Sequence, residues 1–219
     1  MSAQSPAKIS IIIPVLNEED SIGKCLDSLP SGPDVEVIVS DGGSTDKSVE
    51  LAKKSDTTVI DSPMGRAQQM NAGAKVATGD VLLFLHADTQ LPGDAANSIR
   101  QAISEGFSMG CFERVFDSDH PLLKWTSRWA GWRARKFFVV YGDQAIFIRR
   151  DLFEQLGGYR ELKRFEDVDL GLRAKKKGRW TVLPGPIMTD ARRFGASPLK
   201  RVLKDAWLTI AWMTGIIRE

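Results

Sequence analysis

Cysteine is almost missing from this 219-residue chain. Cys25 and Cys111 stand far apart and no Cys-x-x-Cys occurs. That excludes a disulfide framework and a thiolate zinc site, and it fits a reducing cytoplasm. Long apolar runs are lacking as well. The densest apolar stretch near the C-terminus runs from Ala206 to Ile217, well short of the ~20 residues a bilayer-crossing helix needs. Residues 1–7 are polar and have no apolar core of the kind a signal peptide carries, so a frayed tail is expected there. No G-x-G-x-x-G follows the first strand, and no Walker A motif with its Lys is present. A nicotinamide enzyme and a P-loop NTPase are both disfavoured.

With 42% hydrophobic and 26% charged residues the composition is that of a globular domain. The net charge of +2 conceals an asymmetry. Residues 1–120 carry 9 Lys and Arg against 18 Asp and Glu, whereas residues 121–219 carry 21 against 10. A carboxylate-rich half suits a cation; a cationic half suits phosphates or an anionic membrane surface. No nucleic acid is expected as a partner.

The centre of the pattern is Val81-Leu82-Leu83-Phe84-Leu85, running straight into His86-Ala87-Asp88. Such a run predicts a strand buried on both faces, with its polar end at the carboxyl edge of a mostly parallel sheet. Ile9–Ile13, stopped by Pro14, is a first strand; Val35–Val39, ending in Ser40-Asp41-Gly42-Gly43-Ser44-Thr45-Asp46, is a second; Thr57–Ile60 is a third. The helix after the first strand has Asp20 as its expected N-cap. Together these form a βαβ pattern, and the fold class is α/β. Gly65-Arg66 opens a helix with a cation in its first turn, which is unfavourable unless an anion binds there or the side chain snorkels to solvent.

The texture changes after residue 121. Leu122, Trp125, Trp129 and Trp132 recur at helical spacing among Lys124, Arg128, Arg133, Arg135 and Lys136. A stripe of this kind is more often core than contact surface. Glu166, Asp167 and Asp169 crowd the first turn of a helix expected to reach Lys177. The helix dipole accounts for one or two of them, and a third carboxylate predicts that at least one faces a site. From Pro198 on, Leu199, Val202, Leu203, Ala206, Trp207, Ile210 and Ile217 share one face of an amphipathic helix, with Lys200, Arg201 and Lys204 at its start. Docking onto the domain and lying in a membrane interface are equally open readings.

Five motifs in order resemble the family 2 glycosyltransferases of the GT-A fold. They are Ile13-Pro14-Val15-Leu16-Asn17-Glu18-Glu19, Ser40 to Asp46, Gly65-Arg66-Ala67 with Met70-Asn71-Gly73, Leu85-His86-Ala87-Asp88, and Phe165-Glu166-Asp167. The chain is similar to the small bacterial branch with His-Ala-Asp in place of Asp-x-Asp. The resemblance covers residues 8–195 and implies a GT-A domain with a mostly parallel, Rossmann-like sheet flanked by helices. Residues 8–120 would take the nucleotide sugar and metal and residues 121–195 the acceptor, followed by the amphipathic helix at 196–219.

It further implies inverting transfer of a sugar from a nucleotide diphosphate sugar, UDP ahead of GDP, to an acceptor hydroxyl, with Mn²⁺ or Mg²⁺ assisting. The acceptor is unidentified, with a lipid-linked one in view. Peripheral membrane contact is expected through residues 121–138 and 198–217, on the cytoplasmic face. Asp167 is the candidate base and Glu166 its companion. Pro14, Val15, Asn17, Glu18, Asp41, Gly43, Gly65, Arg66, Met70, Asn71, His86 and Ala87 are the candidates for nucleotide contact, and Asp88 with His86 for the metal. His86 departs from the common motif; its imidazole would favour Mn²⁺ over Mg²⁺, or would only hydrogen-bond a ribose or a water. Asp143, Gln144, Arg192 and Arg193 are candidates for the donor sugar or acceptor. No Gln-x-x-Arg-Trp element is present, so processive polymer synthesis is not supported. The rival reading is a degenerate nucleotide-sugar-binding or membrane-associated scaffold.

Overall fold

The structure, a computed structural model, describes residues 6–191 and 198–216. An eight-stranded sheet runs through it in the order β3-β2-β1-β4-β7-β6-β8-β5. The first half is the expected parallel array. β1 (Ile9–Val15) is buried at every position and lies between β2 (Val35–Asp41) and β4 (Val81–Phe84), with β3 (Thr58–Asp61) beyond β2. β4 is buried throughout because helices cover both faces of the sheet, and each fully buried Ile, Leu or Phe contributes roughly 1.5–3 kcal/mol. The chain runs from β1 to β2 and β3 in one direction and then crosses to β4 on the other side of β1. The carboxyl ends of β1 and β4 therefore flank a topological switch point.

The second half is mixed. β7 (Ile146–Arg149) pairs antiparallel with β4 and with β6 (Met109–Phe116). β6 runs parallel to the long β8 (Trp180–Thr189), whose end pairs antiparallel with the two-residue β5 (Thr89–Gln90). That last pairing carries the chain just after Asp88 back against the end of β8, where the Asp190 N–H donates to the Asp88 carbonyl at 3.2 Å.

The helices in chain order are α1 (Ile22–Asp27), α2 (Ser48–Ala52), α3 (Arg66–Val76), α4 (Ala95–Ser104), α5 (Pro121–Phe137), α6 (Arg150–Gln155), α7 (Glu166–Ala174) and α8 (Pro198–Met213). Several boundaries differ from expectation: β1 continues through Pro14 to Val15 and β2 to Asp41, β4 stops at Phe84, Ser21 and not Asp20 is the N-cap of α1, β3 sits one residue later, and α7 stops at Ala174.

α5 turns its aromatic stripe outward, against the general tendency of such a stripe to be core. Its buried residues are Leu123, Thr126, Ala130, Gly131 and Ala134, which let the helix lie close on β6, while Trp125, Trp129 and Trp132 point outward. Helical period fixes which residues share a face, not which face meets the core. Among the described residues no helix is long and apolar enough to cross a membrane.

Candidate active site

The loops after β1 and β2 are laced to each other. Asn17, in the left-handed region at φ 56°, accepts at Oδ1 from the Thr45 N–H at 2.8 Å, and its own N–H donates to Ser44 Oγ at 2.9 Å. The Glu18 N–H donates to Ser48 Oγ at 2.7 Å. Asp41 is buried and accepts from the N–H groups of Gly43 and Ser44, both at 3.0 Å to Oδ2, closing a turn that needs the φ of 95° at Gly43. Gln69 of α3 donates to the carbonyls of Val15 and Ser40, at 2.7 and 3.0 Å, pinning the ends of both strands. Pro14 and Val15 lie at the β1 terminus in register with Ser40 and Asp41. These residues build a preformed floor.

α3 starts at Gly65, whose φ of 137° aims Arg66 across the sheet edge. The half-exposed Arg66 places its Nε 2.9 Å from Glu166 Oε1. Met70 is buried in the core, and Asn71 holds both backbone groups of Tyr159, at 2.8 and 2.9 Å. Neither is at the cavity wall.

The cavity, about 320 Å³, gathers Arg66, His86, Asp143 and the adjacent pair Glu166-Asp167 from four separate stretches of chain. The left-handed Phe165, φ 66°, precedes the first turn of α7 and sends its three carboxylates different ways. Asp169 turns from the cavity to Arg173 and Arg160, at 2.7 and 3.2 Å, and is structural. Glu166 meets Arg66. Asp167 is buried, its Oδ2 accepting from the Gly142 N–H at 2.8 Å, with the buried Tyr159 hydroxyl lying against its carboxylate. Burial, reinforced by the neighbouring Glu166, pushes the Asp167 carboxyl up to about 7. Burial and the same two carboxylates push the Tyr159 phenol well above its usual range.

Gly142 is the hinge of this arrangement. A Cβ there would stand 2.4 Å from His86 Nε2 and 2.7 Å from Asp167 Oδ2, so the imidazole and the carboxylate converge on one glycine. Arg133 of α5 holds the adjoining corner: its Nε donates to the Val139 carbonyl at 3.0 Å and its guanidinium stacks 4.1 Å over the Tyr141 ring. Asp143 faces the cavity but is bound from behind by Arg114, with Nη1 2.5 Å from Oδ2. Gln144 is fully buried, accepts from Arg133 and donates to the Phe112 carbonyl; it supports the corner and does not line the cavity.

Ala87 is buried, and Asp88 lies beyond the cavity at the same strand edge, its Oδ1 accepting from Thr89 Oγ1 at 3.1 Å. Arg192 and Arg193 lie outside the described residues. Burial pushes both thiols, Cys25 and Cys111, far up, so neither serves as a thiolate nucleophile.

Sequence reasoning missed Lys163, Arg164, Lys204, Asp205 and Thr209, all at the cavity wall. Lys163-Arg164, directly before Phe165-Glu166-Asp167, was a readable signal. The α8 residues were not, because nothing local says that this helix returns to the site.

The order of these elements can be set beside known proteins. Residues 10–159 match the family model described as Glycosyl transferase family 2. The chain belongs to that family. Among curated relatives, this family 2 chain is 33% identical over 163 residues to the PGL/p-HBAD biosynthesis glycosyltransferase of Mycobacterium bovis (strain BCG / Pasteur 1173P2), covering 68% of this chain and 62% of that one. It is 27% identical over 175 residues to the undecaprenyl-phosphate 4-deoxy-4-formamido-L-arabinose transferase of Pseudomonas fluorescens (strain Pf0-1), covering 72% and 51%. The chain thus spans roughly half to three-fifths of the length of these relatives.

Among solved structures it superposes on S. aureus TarS 1-349 in complex with UDP-GlcNAc, with TM-score 0.71, 20% identity, and coverage of 84% of this chain and 59% of that one. It also superposes on the mannosyltransferase PcManGT of Pyrobaculum calidifontis in complex with GDP-Man and Mn²⁺, with TM-score 0.68, 19% identity, and coverage of 89% and 59%. The fold is that of GT-A glycosyltransferases.

Proposed function

We propose that this chain transfers a sugar, with inversion, from a nucleotide diphosphate sugar to an acceptor hydroxyl, using Asp167 as general base. One observation carries the reading: a buried carboxylate in a cavity, one oxygen fixed by a backbone N–H and Glu166 beside it, with its pKa raised to about 7. Such a group is ionised near neutral pH yet basic enough to take a proton. The acceptor hydroxyl donates its proton to Asp167 as its oxygen bonds to the anomeric carbon. The bond from that carbon to the diphosphate oxygen breaks on the opposite face, which inverts the configuration.

Residues 8–120 serve the donor. The floor made by Pro14 to Glu18, Asp41 and Gly43 faces the nucleoside, and Arg66, Lys163 and Arg164 offer cationic partners to the diphosphate. UDP is the expected nucleotide, ahead of GDP. Asp88, with His86 two residues before it, is the position for Mn²⁺ or Mg²⁺. Among the described residues no group of three His, Cys, Asp or Glu is arranged to hold a metal alone. A hard cation held by one carboxylate and completed by phosphate oxygens and water fits that donor set. Such an ion would neutralise charge on the departing diphosphate.

The acceptor side is assigned to residues 121–195, with Asp143 at the wall. An acceptor carried by a lipid suits the exposed apolar side chains of residues 121–138 and 198–216. The name of the Pseudomonas fluorescens relative, which includes undecaprenyl phosphate, supports that class.

Donor hydrolysis, measured across UDP- and GDP-sugars with Mn²⁺, tests the assignment. The wild type should hydrolyse at least one donor slowly. Asp167→Asn should lose about 10²–10⁴-fold while still binding nucleotide, and Asp88→Ala should lose the Mn²⁺ dependence. Nucleotide binding with no hydrolysis of any donor would favour the scaffold reading and reject this one.

A further inference from the structure

α8 is amphipathic the wrong way round. Its inner face is polar or mixed: Lys204, Asp205, Leu208 and Thr209 line the cavity, the Tyr141 hydroxyl hydrogen-bonds Thr209 Oγ1, and Trp212 packs its ring 5.5 Å from that of Phe165. Its outer face is apolar. Leu199, Leu203, Trp207 and Ile210 recur at three- and four-residue spacing and are 56–62% exposed. Helix α5, which packs against α8, repeats the inversion: Trp125, Trp129 and Trp132 are 44–56% exposed and stack on one another, with ring centroids 5.9 and 4.7 Å apart. Phe137 extends that ladder, 5.3 Å from Trp132. Two neighbouring helices thus turn mixed faces inward and present the ridges Leu199, Leu203, Trp207, Ile210 and Trp125, Trp129, Trp132 to water.

A helix that meets only its own domain gains nothing from this arrangement, because apolar area left in water forgoes its transfer free energy. Indole rings and leucines beside Lys and Arg form the composition that seats in the interface of a bilayer. Arg128 and Lys136 are exposed beside the tryptophans on α5, and Lys200 and Lys204 are exposed on α8. The net excess of cations in residues 121–219 favours lipid of the opposite charge.

We propose that the outward faces of α5 and α8 form one docking surface for an anionic lipid bilayer, with α8 as a two-sided wall between lipid and cavity. The side chains of Leu199, Leu203, Trp207 and Ile210 enter the interface while Lys204 and Thr209 stay at the cavity. An acceptor anchored in that bilayer then reaches the site along α8. The docking surface rests on the exposed ridges and stands without the catalytic reading.

Sedimentation of the full chain with vesicles of phosphatidylcholine containing phosphatidylglycerol tests this, with tryptophan emission read in parallel. The wild type should partition at least tenfold more to these vesicles than to phosphatidylcholine alone, with a blue shift of its emission. Leu203→Ser/Trp207→Ser/Ile210→Ser should cut partitioning at least tenfold. Because these side chains are exposed, the triple variant should keep its circular dichroism spectrum and the wild-type donor-hydrolysis rate without vesicles. Equal partitioning of variant and wild type would overturn the proposal. So would a wild-type dimer that the variant breaks, with no vesicle binding by either, since the occupant would then be a second copy.

Discussion

The loops around β1–β3 and the cavity around α7 use polar side chains in opposite ways. In the first region Asn17, Asp41, Ser44 and Ser48 bind one another and their own backbone. In the second, Asp167 is buried beside a second carboxylate, Glu166, and Gly142 is crowded by two ionisable groups. The first region is settled before any ligand arrives, and the second is held in an unrelaxed state by its surroundings. Rigid support on one side and stored electrostatic cost on the other is the division expected of a site that binds with one half and reacts with the other.

Breaking the second region should cost most. Gly142→Ala would drive a methyl group into His86 and Asp167, and should destabilise the fold by about 1–3 kcal/mol while lowering donor hydrolysis on the order of a hundredfold. Thermal melting and initial rates read the two effects separately. Wild-type activity in this variant would show that the glycine is not a hinge.

Breaking the first region should be milder. Asn17→Ala removes the acceptor for the Thr45 N–H and leaves alanine at a positive φ, for a loss of about 1–2 kcal/mol. Nucleotide affinity should fall and the maximal rate should change little, which a titration followed by rate measurements would reveal. A fall in maximal rate at unchanged affinity would place Asn17 with the reacting groups and erase the contrast between the two regions.

The parallel half of the sheet was legible because β-branched and apolar runs ending in Pro14, Asp41 and His86 mark buried strands and their carboxyl edge. Crowding at the start of α7 predicted that at least one of Glu166, Asp167 and Asp169 faces a site, since a dipole does not call for three carboxylates, and the family resemblance singled out Asp167 and Glu166. The mixed half was not. The pairing of β7 between β4 and β6, and the return of β8 to Thr89, are long-range and leave no local periodicity. Asp143 is a candidate from its place in the chain, but its ion pair with Arg114, 29 residues earlier, is visible only in the structure. The tryptophan stripe of α5 is legible as a helical face, but its direction is not, because the small side chains Thr126, Ala130, Gly131 and Ala134 on the opposite face form the closer-packing surface. Sequence showed that α8 was amphipathic; only tertiary structure showed that its apolar side faces away from the domain.

On the proposed mechanism Asp167 is a base whose pKa is raised by burial and by Glu166. Protonation is favoured in the folded state, so the carboxyl contributes no penalty below its unfolded value near 4. Its cost grows between there and about 7 and is complete above. Folding stability of the wild type relative to Asp167→Asn should therefore fall as pH rises through that window, while activity rises through it. The most direct measurement is donor hydrolysis as a function of pH. The rate should climb tenfold per pH unit below an inflection near 7, with Asp167→Asn flat and at least a hundredfold lower. A wild-type rate independent of pH between 5 and 8, or one that Asp167→Asn reproduces, would contradict that mechanism.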